Sequence, residues 1–401
     1  MRHDVIQSQA ATAPMLKVLN ERTVFDTIRT SHPVSRAEIS RQVGISKPTV
    51  SAALTTLLEA DLVREVSRAG TGPTYGALFF EPVPEAGFVV GLDLGARFLR
   101  GVVAALDGEV RSRAQVEIEG ADITGVIQHA VALRRRLLKA GRVPDRAEQV
   151  VVVAAPGVVE QGTGRVCQGA AVPGLNGFAL GEALLEAFGR DGAPQGPVLV
   201  ENDIHLAALG ERRLGAGTAG EDFAVLSIGT GVGAGLVLGG RLHRGRNGAA
   251  GEIDFALEGG VDGNPFDPCA KALCAVAADW LEFRGLPSTL AAPVSTEQIF
   301  EAARAGDRLA GLLVAEEARR IAVYLAPIAA VVDVELVILA GGIGLNADLL
   351  LEPVRAEVAK RLPYPPRIEV STLGDQGALA GAVAYGGEVA LDRLLSARIG
   401  R

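Results

Sequence analysis

Three cysteines, Cys167, Cys269 and Cys274, are all that the 401 residues contain. So few, and an odd number, argue against a disulfide framework. Long apolar runs are missing as well. The longest are strand-length and broken by Gly, Asp or Pro, well short of the roughly 18 residues that mark a membrane span. The opening segment MRHDVIQSQAATAP has no apolar stretch of the signal-peptide kind. The chain is therefore expected to be soluble and cytoplasmic, with no membrane partner. An overall excess of positive charge is also absent, since the formal net charge is −8. Spread evenly, that charge would repel nucleic acid. It is uneven: residues 1–80 hold 9 Lys and Arg against 7 Asp and Glu, while the remainder holds 30 against 40. Any DNA-facing part is expected to be N-terminal. Its small surplus favours a dimer, which doubles the phosphate contacts.

Size and core are present in full. A length of 401 residues, 48% of them hydrophobic, predicts more than one domain. The stretch Ser35 to Leu58 reads as a helix-turn-helix. Ser35 is a good N-cap, and Glu38 three residues on can close a capping box. Gly44 suits the left-handed turn after the first helix, Arg36–Gln42. Ser46 caps the second helix, with Pro48 in its first turn, where a missing N–H costs nothing. Ile39, Val43, Ile45, Val50, Leu54 and Leu57 fall at spacings that bury one face of both helices. The outward face of the second helix begins with Ser46, Lys47, Thr49 and Ser51, which suit phosphate contact and major-groove readout. Ser35 and Arg36 flank that face. A preceding amphipathic helix is expected over Leu16 to Ile28. After it come strands over Leu62–Val66 and Ala77–Phe80, joined by SRAGTGPTYG. This is a wing, in which Arg68 and Thr71, with Gly70 and Gly72, would follow the DNA backbone or enter a minor groove. Residues 1–80 thus form one expected domain, and Glu81–Gly87 a junction.

From Phe88 the character changes to mixed α/β, in two halves that each begin strand, Gly turn, strand. Three glycine-rich turns each follow an apolar strand: Asp93–Gly95, Gly229–Gly235 and Gly341–Gly344. Such turns let backbone N–H groups approach an anion, and three in this order point to a nucleotide-type cleft between two lobes. Glu201, Asn202 and Asp203 follow another strand and open a helix. A carboxylate there can act as a general base toward a substrate hydroxyl. Asp203 can equally be the N-cap of a helix over Ile204–Leu214, and the two roles are compatible.

The motifs GLDLG, RGVVAALDGEV, APGVV, ENDIHLAALGE, LSIGTGVGAGLVLGGRL, GAAGEI and LAGGIG follow one another in the order seen in the ROK family of repressors, uncharacterised frames and sugar kinases. The chain resembles that family from about Leu16 to Tyr385, and within it the branch of regulators with an N-terminal winged helix. The resemblance implies an α/β fold class: an N-terminal winged helix-turn-helix over 1–80, plus a two-lobed actin/hexokinase-like (ribonuclease H-like) ATPase fold over 81–401, which binds the effector and oligomerises. It assigns Asp93, Gly95, Gly229, Thr230, Gly231, Gly341 and Gly342 to nucleotide positions. It assigns Asn202, Asp203, Glu252 and Gly174 to the sugar site, with Asp203 catalytic only in a kinase.

The departures are as informative. Ala96 and Arg97 stand where the family has Gly and Thr, and a bulky Arg97 in the phosphate turn argues against ATP binding. Phe255 replaces the histidine that holds sugar and zinc in relatives. The zinc segment is reduced to Asp267, Cys269 and Cys274, a poor set for a metal that wants four closed ligands. No zinc is expected, Cys269 and Cys274 are expected to be buried thiols, and no cofactor is expected. The implied function is a transcriptional regulator, a repressor of carbohydrate-metabolism genes. It would bind a double-stranded DNA operator as a homodimer or homotetramer and respond to a sugar or sugar-phosphate effector in a degenerate kinase-like cleft. The alternative is an ATP-dependent sugar kinase with an appended DNA-binding domain.

Overall fold

The structure, a computed structural model, describes residues 13–67, 78–144, 147–169, 172–192, 194, 196–219, 222–257, 264–283 and 285–399. The N-terminal unit comprises α1 (Ala13–Ser31), β1 (Val34–Ser35), α2 (Arg36–Val43), α3 (Lys47–Glu59), β2 (Val63–Val66) and β3 (Phe79–Pro82). Local chemistry sets its boundaries. The Ser35 hydroxyl accepts from the Glu38 N–H, and the Glu38 carboxylate accepts from the Ser35 N–H at 2.8 Å, which is a complete capping box. Gly44 closes α2 at φ 68°, in the left-handed region. Ser46 caps α3 through the Thr49 N–H. Ile39, Val50, Leu54 and Leu57 are buried as expected, whereas Val43 and Ile45 are only partly covered. The strands pair in the order β1–β3–β2. β2 starts one residue later than expected, and β3 runs two residues past the expected end at Phe80, with Pro82 opposite Val63, while Ala77, its expected start, lies outside the described residues. Arg68, Gly70, Thr71 and Gly72, the expected tip of the wing, lie outside the described residues.

The body follows with two five-stranded sheets. The first is built from β4 (Phe88–Leu94), β5 (Phe98–Ala105), β6 (Val110–Glu117), β7 (Glu148–Ala155) and β11 (Val198–Asn202). Between β7 and β11, three short strands, β8 (Val158–Val159), β9 (Arg165–Cys167) and β10 (Phe178–Ala179), make a small separate sheet. The second large sheet has β12 (Phe223–Ile228), β13 (Val232–Leu238), β14 (Arg241–His243), β15 (Leu336–Ala340) and β16 (Arg367–Val370). In each, the first strand lies at the centre. It pairs antiparallel with the second and parallel with the fourth, and the third and fifth take the edges. The central strands are covered on both faces, which is why FVVGLDL and VVVVAA read as continuous apolar runs.

Helices α4 (Ile123–Ala140) and α5 (Leu180–Gly192) cover the first sheet, and α6 (Asp203–Leu214) follows β11. The second lobe carries α7 (Ala270–Phe283), α8 (Thr296–Arg304), the 25-residue α9 (Arg308–Val332), α10 (Gly341–Gly344) and α11 (Ala347–Ala359). The last helix, α12 (Gly377–Ile399), returns to the first lobe. One continuous apolar cluster includes Val24, Phe25 and Ile28 of α1, Val150 and Val152 of β7, and Leu391, Leu394 and Leu395 of α12. Arg22 of α1 pairs with Glu388 and Asp392 at 3.0 and 3.3 Å along the same seam. The core of the helix-turn-helix is therefore continuous with the body.

Helices α6 and α12 approach through glycine. A Cβ on Gly381 would lie 1.7 Å from the Leu206 carbonyl oxygen, and one on Gly210 would lie 2.4 Å from that of Gly377. No side chain fits there without moving a helix. Gly381→Ala should therefore destabilise the fold by at least about 1–3 kcal/mol, although Ala is the better helix former. Urea unfolding of the variant beside the parent protein measures this. A gain in stability would show that the two helices are not in backbone contact.

Candidate functional site

The carboxyl ends of β4, β7, β11 and β12 meet at a cleft of about 490 Å3, as expected for open α/β sheets. Ala96, Gly157, Gln168, Asn202, Asp203, Ser227, Gly229, Thr230, Gly231, Glu252 and Asp254 line it, among others. Asn202 ends β11 and caps α6: its Oδ1 accepts the N–H groups of Ile204 and His205 at 2.9 Å each, and its Nδ2 donates to the Gly157 carbonyl at 3.0 Å. The cap is thus Asn202, not Asp203, because Asp203 already has helical geometry in the first turn. Asp203 Oδ1 also accepts from the Ile204 N–H at 2.9 Å.

Burial and the nearby charge of Asp93 push the Asp203 carboxyl up to about 7. Asp93 itself is raised to about 6 by burial, against the pull of Arg100, which stands 3.5 Å away and also faces Asp375 at 3.7 Å. Burial raises Glu252 and Asp254 as well. Beneath the cleft, buried Glu201 faces His205 Nδ1 at 3.1 Å and accepts from Arg244. His205 Nε2 faces the Ala250 carbonyl at 2.9 Å. The loop that carries Glu252 is thereby tied to α6.

Of the expected nucleotide positions, Gly229, Thr230, Gly231 and Gly342 line two cavities, whereas Asp93, Gly95 and Gly341 line neither. Gly229 and Thr230 line the cleft and also an adjoining pocket of about 410 Å3, which Gly342, Arg304 and Asn346 share. Gly341, at φ 78°, packs so closely on Ile228 that a Cβ would lie 2.3 Å from its carbonyl oxygen. Gly95 donates its N–H to the Phe98 carbonyl at 3.0 Å and shapes the first turn. Arg97 does not fill that turn. It faces outward, pairing with Glu117 at 3.0 Å and Glu119 at 3.5 Å on the exposed edge of the sheet, so only Ala96 borders the cleft. Arg97 therefore does not obstruct the phosphate turn as expected, because Glu117 and Glu119 hold its side chain on the outer edge of the sheet.

Gly174 lies apart, in a turn where the Pro173 carbonyl accepts from Ile123, and does not line the cleft. Gln168 does. It is a non-glycine residue at φ 59°, with its N–H donating to Asn176 Oδ1 at 2.9 Å. Nothing in the local sequence pattern marks it.

The residues of the zinc segment do not fit the metal. The Cys269 thiol donates to Asp267 Oδ2 at 3.0 Å, and burial with that carboxylate pushes it up to about 11, so it stays protonated. Cys274 is only half-buried, not buried as expected, and the Glu297 charge helps raise its thiol, which places it near α8. Phe255 is exposed. Among the described residues, no three His, Cys, Asp or Glu side chains are placed to hold a metal ion.

A duplicated sheet topology closing on an interlobe cleft, fused to a helix-turn-helix, defines a kinase-like body with a DNA-binding head. The chain belongs to the ROK family, whose model matches residues 89–387, and residues 23–67 match the IclR helix-turn-helix domain. A solved structure described as a ROK family transcriptional regulator, homolog of E. coli MLC protein, has the same fold. Its TM-score is 0.78 at 22% identity, over 96% of this chain and 99% of that one. The chain is similar to the xylose repressor of Caldicellulosiruptor bescii, at 24% identity over 92% of this chain and 96% of the relative. It is also similar to a glucokinase of Halalkalibacterium halodurans, at 27% identity over 73% and 92%.

The raised Asp203 carboxyl has a measurable consequence. A carboxyl whose folded pKa, about 7, lies well above its ordinary value of 3.8 keeps its proton longer in the folded chain. The stability it contributes is full below about pH 4 and is lost as pH rises to about 7. Asp203→Asn should flatten that fall and leave the variant more stable than the parent at pH 8. Denaturant melts at pH 5 and 8 read the difference. An unchanged slope would mean that the Asp203 carboxyl is not raised in the folded chain.

Proposed function

We propose that the protein is a DNA-binding transcriptional repressor of carbohydrate-metabolism genes, acting in the cytoplasm, whose interlobe cleft binds a sugar or sugar derivative. It binds a double-stranded operator as a homodimer or homotetramer. The observation that carries this reading is the seam between the two parts. Asn202 and Asp203 open α6 at the cleft, α6 touches α12 backbone to backbone, and α12 shares its apolar face and two ion pairs with α1 of the helix-turn-helix. A ligand that favours one closure of the cleft has a packed route to the recognition helices. It shifts the equilibrium by its differential affinity for the two states. The xylose repressors among the relatives support the same reading.

On the DNA side, Lys47 and Ser46 are exposed at the N-terminus of α3, beside Thr49 and Ser51. Ser46 and Thr49 hydroxyls lie 2.8 Å apart, so both face the same patch. Arg36 is exposed at the start of α2, while Ser35 is engaged with Glu38 and positions that helix. A second reading, an ATP-dependent sugar kinase with an appended DNA-binding domain, is favoured by the Asp203 carboxyl, tuned near the value suited to a general base. ATP turnover over a panel of hexoses, abolished by Asp203→Ala, would establish it.

The first experiment is selection of genomic fragments on the purified protein with and without sugars. Enrichment of a palindrome with half-sites about one helical turn apart is expected, and a sugar that releases it. No enrichment by a folded protein would overturn the repressor reading. On the selected operator, Lys47→Ala should weaken binding about tenfold and lower the salt slope by about one. Fluorescence anisotropy at several salt concentrations measures both, and an unchanged slope would remove Lys47 from the phosphate contacts.

A further inference from the structure

The charged side chains that line the cleft are of one sign. Asp203, Glu252 and Asp254 are acidic, and no Lys, Arg or His lines it among the described residues. Arg100, which faces the first turn, is turned to Asp93 and Asp375. Asp254 is held in place. The Tyr324 hydroxyl donates to its Oδ1 at 2.6 Å, and Asn264 Nδ2 donates to the Tyr324 oxygen at 2.8 Å. Tyr324 is fully buried in the middle of α9, so this carboxylate is anchored to the core of the second lobe. Neither Asp254 Oδ2 nor the Glu252 carboxylate has a hydrogen-bond donor from the described protein. The two are one residue apart, beside Asp203.

We propose that the ligand of this cleft is a sugar bearing a protonated amine, and that Asp254 with Glu252 receives its ammonium group. The proposal rests on the reading of the cleft as a sugar site. A partly desolvated ammonium beside fixed carboxylates makes charge-assisted hydrogen bonds, about twice as strong as those of a neutral hydroxyl. A sugar phosphate would instead bring negative charge among three carboxyl groups, with no Lys, Arg or His among the described lining residues to meet it. Tyr324 is the positioning residue, since its hydroxyl leaves one oxygen of Asp254 open to the cleft.

The test is calorimetric titration of the full chain at pH 7 with glucosamine, galactosamine and mannosamine. Each is run beside its neutral parent hexose, its N-acetyl derivative and its 6-phosphate. One of the three amines should bind at least tenfold tighter than its neutral parent. N-acetylation, which removes the charge, should erase the advantage, and the 6-phosphate should bind more weakly still. Asp254→Asn should reduce the preference to threefold or less. Tyr324→Phe, which keeps the ring, should lose part of it. Neutral, acetylated or phosphorylated sugars binding as tightly as the amines would overturn the ligand class and leave the sugar site standing. If no sugar of any kind binds while the protein still selects its DNA, the sugar reading itself fails, and this inference with it.

Discussion

The contact between α6 and α12 is the constraint from which the rest of the arrangement follows. Two helices that meet through Gly381 on Leu206 and Gly210 on Gly377 have almost no freedom to slide or roll, because backbone atoms do not change rotamer. The N-terminus of α6 is thereby fixed relative to the sheets, and with it Asn202 and Asp203. The other end of α12 is fixed against the helix-turn-helix by Leu391, Leu394 and Leu395 and by the Arg22 ion pairs. Exposed pairs of this kind contribute little energy, roughly 0–1 kcal/mol. The apolar seam carries the stability, and the ion pairs set its register.

The cleft lives on the opposite principle. Its carboxyl groups are crowded and partly dried, and burial raises Asp203, Glu252 and Asp254, as it does the neighbouring Asp93. An arrangement that disfavours its own charge is uncomfortable when empty and is relieved by a ligand, whether a hydroxyl that accepts from a protonated carboxyl or a cation that pairs with an ionised one. The segment from Asp267 to Cys274 settles differently. Cys269 and Asp267 satisfy each other directly, with the thiol as donor.

Much of this was legible in the sequence where the signal is local. The Ser35–Glu38 box, Gly44, and the Ser46 cap announce α2 and α3 because each acts within four residues. The repeated strand, turn, strand pattern at Asp93 and Gly229 announces two lobes for the same reason. What the sequence hides depends on partners far along the chain. Asn202 and Asp203 are both good caps, and only the strand that runs through Asn202 decides between them. Arg97 reads as part of the phosphate turn, yet Glu117, twenty residues on, draws it outward. Gln168 reaches the cleft through a left-handed backbone fixed by Asn176, and Asp254 through a tyrosine seventy residues away. Glycines inside α12 read as weak points of a helix until α6 is laid against them.

The seam between α1 and α12 joins almost the first described residues to the last. At a synthesis rate of about 5–20 residues per second, α12 leaves the ribosome some tens of seconds after the DNA-binding head. During that interval the head lacks the helix with which α1 shares its apolar cluster and the Arg22 ion pairs. Chains cut short before Gly377 never acquire it. The fold thus makes possession of the complete body a condition for a properly finished DNA reader, and fragments that retain the head but lack the sensor are handicapped as repressors from the moment they are made.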